Sequence, residues 1–176
     1  MAKRRDVLIG VGGIVALAGC TEPGSSPEIE DETISAEEDE TISAEVGEVI
    51  VTLDDLESGW SDGGGGDSEG EAVFLTDEVI VEISITRHSS VSEAEGVFDD
   101  LRAEQTEGTS SDSVEYGNEG FTTNPFDDYV FLGFRAANFV VEIESYTEEF
   151  ALTDPEDTAR DFADIIIEKI VNAQSD

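Results

Sequence analysis

The groups able to do chemistry in this chain are one thiol, one imidazole and a large surplus of carboxylates. Cys20 is the single cysteine and His88 the single histidine. A lone cysteine closes no internal disulfide and founds no cysteine-rich metal site, so its role is set by where it stands. It stands directly after an apolar run that ends Leu17-Ala18-Gly19. His88 follows a strand-like segment and precedes Ser89-Ser90 at a helix start, a place for a surface or capping side chain rather than a general base. No GxSxG elbow, HExxH pair or second histidine accompanies it. The 44 Asp and Glu residues make any chosen acid pair explicable by the acidity of the whole surface. The acidic glycine loop Asp62 to Glu71 has no lysine to make it a phosphate loop and lacks the alternating ligands and closing Glu of a calcium loop. No catalytic residue, metal ligand or cofactor site is nominated.

Against those 44 acids stand 8 Lys and Arg, a formal charge of −36 over 176 residues. Such a surface repels phosphate backbones and anionic lipid head groups, which excludes nucleic acid as a partner and favours basic partners or cations. It also repels itself unless concentrated salt shortens the screening length to roughly 3 Å. High acidity with few lysines resembles the proteins of extremely halophilic archaea.

The first twenty residues have export order: Lys3-Arg4-Arg5, an apolar stretch from Val7 to Gly19, and small residues before Cys20. The apolar stretch is 13 residues long, short of the about 20 that a membrane-spanning helix needs. Arg4-Arg5 followed by Asp6-Val7-Leu8 resembles the twin-arginine motif of the route that exports folded proteins. Leu17-Ala18-Gly19-Cys20 resembles the lipobox of bacterial and archaeal lipoproteins. That resemblance implies a signal peptide at 1–19, a lipid on Cys20 as the first mature residue, and a haloarchaeal lipoprotein anchored to the cell membrane and facing outside. Cleavage there would remove Asp6 with Lys3, Arg4 and Arg5 and leave 43 acids against 5 bases, near −38.

Residues 20–45 carry prolines, serines and acids with no apolar period, the composition of a disordered linker. Within them Glu-Asp-Glu-Thr-Ile-Ser-Ala-Glu at 30–37 recurs unchanged at 38–45. A flexible coil of that length spans roughly 25 to 30 Å. A single domain is expected over 46–176, opening with a strand around Val49, Val51 and Leu53 and a helical turn ending near Gly59.

Alternating apolar residues predict strands over 72–76, 79–87, 129–136 and 139–146, the last two joined at Ala137-Asn138, with Asn138 supplying a left-handed turn. A short strand is expected at 114–116, and 117–127 reads as irregular. Ser90 with Glu93 forms a capping box ahead of a helix to about Gln105. Asp154-Pro155 starts a second helix, to about Ala173. The expectation is an α+β domain: an antiparallel sheet of about five strands with two amphipathic helices packed on one face. The run Leu56-Glu57-Ser58-Gly59-Trp60, the strand ending Phe134-Arg135, Ala137-Asn138 and the terminal helix resemble small sensor-like or photosystem-P-like extracytoplasmic domains.

These features point to a non-catalytic module tethered to the membrane through Cys20 that binds a protein, a glycan or a small solute. Trp60, Tyr116, Phe121 and Phe126 are the candidate ligand-binding side chains. A carboxylate-based hydrolase, recognisable by two buried acids with His88 beside them, and a structural spacer of the envelope are the alternatives.

Overall fold

The computed structural model describes residues 41–64, 69–147 and 151–174. Arg4, Arg5, Cys20, the signal and most of the expected linker lie outside the described residues.

Among the described residues seven strands form one antiparallel sheet in the order β1-β2-β3-β7-β6-β5-β4. They are β1 Ser61–Asp62, β2 Glu71–Leu75, β3 Val79–Arg87, β4 Ser111–Val114, β5 Glu119–Phe126, β6 Tyr129–Ala136 and β7 Phe139–Thr147. Two meanders, β1 to β3 and β4 to β7, are joined by helix α2, Val91–Gln105, and β3 pairs with β7 along nine residues. A single turn, α1 Val46–Val49, is the first helix of the described part, and helix α3, Pro155–Gln174, closes that part.

The α+β class is as expected, but the sheet has seven strands rather than five, and the long helices lie on opposite faces rather than one. Burial along β6 gives the reason. From Val130 to Ala136 every residue is buried, so the strand needs cover on both sides. Val130, Leu132 and Phe134 pack with Phe162, Ile166 and Ile170 of α3. Phe131 packs the other way, with Phe121, Val140 and the α2 residues Ala94 and Phe98.

Three local readings are corrected. The strand expected around Val49 is instead α1 followed by a 3-10 turn, Leu53–Asp55. Reciprocal caps hold both: the Glu48 carboxylate accepts from the Glu45 amide at 2.8 Å, and Asp55 from the Thr52 amide at 2.7 Å. The segment read as irregular contains β5, whose Thr122 and Thr123 are buried between neighbours, with a register shift between Thr123 and Phe126 that accommodates Pro125. The short strand near 114–116 lies earlier, as β4, and Gly117 makes the turn into β5. Gly117 has φ +56, and a Cβ there would lie 2.4 Å from the Arg135 carbonyl oxygen.

The ordered domain also begins before Val46. Ile42 and Ala44, in the second copy of the repeat, belong to the buried core. Asn138 holds them from the β6–β7 turn: the Ile42 amide donates to its Oδ1 at 2.8 Å, and its Nδ2 donates to the Ile42 carbonyl at 3.2 Å and the His88 carbonyl at 2.9 Å. Arg87 adds hydrogen bonds to the Ser43 and Ala44 carbonyls. Asn138 therefore acts as a clip. The left-handed residue of the turn is Ala137, at φ +52.

Both helix starts are capped where expected, but Ser90 and Glu93 do not close a reciprocal box. Ser90 Oγ accepts from the Glu93 amide at 3.2 Å, while the Glu93 carboxylate takes the Ser89 amide and hydroxyl. Asp154 accepts from the Glu156 amide at 2.9 Å at the start of α3.

Candidate functional site

The four aromatic candidates fall in different places. Trp60 meets Phe162 edge-on at 5.0 Å between ring centres and closes the α3 side of the core. Tyr116 lies 5.7 Å from Phe134 on that same side, beside Arg160 and Asp164, and burial pushes its phenol above its ordinary range. Phe121 is buried under α2, 5.6 Å from Phe98 and 5.7 Å from Phe131. Phe126 alone is well exposed, at 68%. His88 has its ring nitrogen 3.2 Å from the Thr86 hydroxyl, and its backbone serves the Asn138 clip.

An open surface arises elsewhere, from how α2 sits. This helix covers Phe121, Phe131 and Val140 and leaves the same face of β2, β3 and the far half of β7 uncovered. Directly opposed residues of neighbouring strands point to the same side of a sheet. The register therefore aligns Phe126, Tyr129, Tyr146 and Ile80 as one row across β5, β6, β7 and β3. With strands about 4.8 Å apart, the row is about 14 Å wide. Phe126 and Ile80 are exposed, Tyr129 and Tyr146 half-buried, and the tyrosine rings are 5.0 Å apart.

One step further along the strands the row changes character. Glu144 of β7 stands opposite Glu82 of β3, and Glu142 opposite Ser84. With Glu71, Val73 and Ser84 these acids line a groove of about 290 Å³. Both tyrosine hydroxyls donate to the same oxygen of Glu144, Tyr129 at 3.2 Å and Tyr146 more closely. Burial first, and the Glu144 carboxylate next, push both phenols far above their ordinary range, so they remain donors. Burial also raises the Glu142 carboxyl, helped by Glu144 and by Glu104 of α2.

Among the described residues no cation answers these acids. Each basic residue of the described part is paired elsewhere: Arg87 with Glu45, Arg102 and Arg135 with Glu119, Arg160 with Glu156, Lys169 with Asp55, at 2.7 to 3.4 Å. Arg102 also lies over the Phe98 ring at 4.8 Å, under the cover of α2. Like charges directly opposed across strands destabilise each other, so the groove carries an unmet demand for positive charge. Among the described residues no group of three or more His, Cys, Asp or Glu is arranged to hold a metal ion.

Sequence reasoning passed over Tyr129, Tyr146, Glu82, Glu142 and Glu144. A signal for them exists in β7, where Glu142, Glu144 and Tyr146 alternate with Val141, Ile143 and Ser145. The alternation marks them as one face, but only the register with β3 and β6 shows that they meet. Comparison with family models, curated proteins and solved structures returned no match.

Proposed function

We propose that this chain is a membrane-tethered extracytoplasmic binding module of a halophile, held by a lipid on Cys20 and presenting the open half of one sheet face to a partner. The observation that carries this reading is the separation of the two ends of the domain. The chain enters at Ile42, clipped by Asn138 in the β6–β7 turn. The aromatic row lies at the other end of the same strands, seven residues along β6 from Ala136 to Tyr129, or about 23 Å away. The segment by which the chain enters therefore does not obstruct the open surface, which stays accessible to a partner. The export-ordered opening, the resemblance to a twin-arginine signal and lipobox, and the surplus of acid support the address and the habitat.

A carboxylate hydrolase is a second reading, favoured by Glu142 and Glu144 sharing the groove while burial raises the first. His88 does not join them. It lies beyond the other end of β3, beside Thr86, and the groove's hydroxyl donors act on Glu144 from one side only.

Intact-mass measurement on protein from native membranes, with fractionation of a Cys20→Ser variant, tests the tether. The expected mass is that of a chain beginning at Cys20 and carrying lipid, with the variant released or misprocessed. A native chain that retains residues 1–19 without lipid, or that is recovered from the cytoplasm, overturns the reading.

A further inference from the structure

Resting on that binding role, we propose that the open face docks a basic, amphipathic segment of a partner protein. Its apolar side chains lie on the Phe126–Tyr129–Tyr146–Ile80 row, and its Lys or Arg groups reach Glu82, Glu144 and Glu142.

Two independent features of the surface define this occupant. The row is a partly exposed apolar and aromatic strip spanning four strands, open at Phe126 and Ile80 and half-buried at the two tyrosines between them, the composition that interface centres favour. The carboxylates beside it have no cation among the described residues, all five basic side chains of that part being paired elsewhere. A ligand that satisfies both must carry apolar groups and cations about 6–7 Å apart, because Ile80 and Glu82 are two residues apart on β3. A helix supplies that spacing with i, i+3 or i, i+4 neighbours.

The other occupants fit less of the surface. A second copy of this chain would set Glu82 and Glu144 against their own counterparts. An anionic lipid surface would meet the same acids, at the end of the domain away from the tether entry. A small oligocation answers the carboxylates and leaves the 14 Å row bare. Tyr129 and Tyr146 have a defined part in the docking. By donating to one oxygen of Glu144, they fix that carboxylate and leave its second oxygen for the incoming cation.

The test uses the full chain and a labelled synthetic helix in which lysines stand three or four residues from leucines along one face, with binding read by fluorescence anisotropy. A serine-for-leucine version of the peptide and spermine are the charge-only probes. In about 1 M KCl, where the screening length is about 3 Å, the leucine peptide should still bind and the charge-only probes should not. Phe126→Ser and Ile80→Ser should each weaken binding about tenfold, and Glu82→Gln and Glu144→Gln by a similar factor. Val97→Ser, which removes an exposed apolar group elsewhere, should leave binding unchanged. Each variant is checked for wild-type thermal unfolding, so that loss of binding is not loss of fold. The proposal fails if the row variants bind as wild type does, if Val97→Ser weakens binding as much as they do, or if spermine or the serine peptide binds as tightly as the leucine peptide. The membrane assay separates the two readings. An unlipidated chain whose peptide binding still follows the row sinks the tether and keeps the docking surface, whereas a lipidated chain indifferent to the row does the reverse.

Discussion

The two faces of the sheet are built for different ends. On the α3 side, Val79, Val81, Ile83 and Ile85 of β3 meet Val130, Leu132, Phe134, Val141 and Ile143, and α3 covers them with Ala159, Phe162, Ala163, Ile166 and Ile170. On the α2 side the buried cluster is five residues, Ala94, Phe98, Phe121, Phe131 and Val140, and carboxylates and tyrosines occupy the remainder. A sheet needs only one sealed face to bury its core. The difference teaches that stability is concentrated under α3, leaving the far half of the α2 face free to carry charge and exposed rings.

The most forceful way to break that comparison is to remove the same group from both sides. Phe162→Ala deletes a buried ring that touches Trp60 and Phe74 and should cost about 4–5 kcal/mol of unfolding free energy. Phe98→Ala removes an equally buried ring from α2, but its surroundings adjoin the uncovered flank and relax more easily, so about 3 kcal/mol is expected. Chemical denaturation at constant salt, followed by Trp60 emission, measures both. Equal costs would show that the α2 side is as integral to stability as the α3 side.

How far the sequence disclosed this division depends on which residues carried it. Alternation in 79–87 and the apolar sets of the 129–147 hairpin placed three strands to within a residue, because each buries a regular apolar set under α3. Ser90 and Pro155 located both helix starts, because capping is local chemistry. Strand β5 went unread: Gly120, Thr122, Thr123 and Pro125 carry no apolar alternation, and the burial of the first three comes with their pairing to β4 and β6. The second face was present in the unbroken run Val130-Phe131-Leu132-Gly133-Phe134, a pattern that asks for cover on both sides. Of the site, Phe126 alone was nominated, since the other members gain meaning only through cross-strand register. Ile42 and Ala44 were hidden in an acidic repeat because their partner, Asn138, is 96 residues away from Ile42.

The clip sharpens the contrast between the sealed side and the open one. Asn138→Ala would leave the Ile42 amide and the Ile42 and His88 carbonyls without their partner, a loss of about 1–3 kcal/mol. Hydrogen exchange should show faster exchange at the Ile42 amide, with the amides of β3, β6 and β7 still protected. Unchanged exchange at Ile42 would mean that Arg87 and burial hold the segment without Asn138.

The carboxylates of the open face should act on stability with the opposite sign. Burial, then Glu144 and Glu104, holds the Glu142 carboxyl above its ordinary 4.5, so the folded state binds this proton more tightly than the unfolded state. Its contribution therefore falls as pH rises from about 4.5 through the raised value, and is constant above. Glu156, held low chiefly by its hydrogen bond from Arg160, works the other way: its contribution is present above 4.5 and lost as pH falls through the lowered value. Glu142→Gln should stabilise the domain by up to about 1 kcal/mol at neutral pH and low salt, and flatten the stability profile just above pH 4.5. A destabilised variant, or an unaltered profile, would mean that the acids of the groove do not strain the fold.

The smallest effect is the most discriminating between the two faces. Phe126 is 68% exposed at the end of the aromatic row, so Phe126→Ser removes little buried area and should change stability by less than about 0.5 kcal/mol. A ring that adds little to stability and continues a row of aromatic and apolar neighbours is free to make contacts outside the fold. Thermal unfolding of Phe126→Ser beside Phe162→Ala measures this directly. Near-identity with wild type for the first and a deep loss for the second would separate a surface kept for a partner from a face kept for the core. A loss of 2 kcal/mol or so for Phe126→Ser would place the ring inside the folding unit, and the row would then be part of the fold rather than an interface.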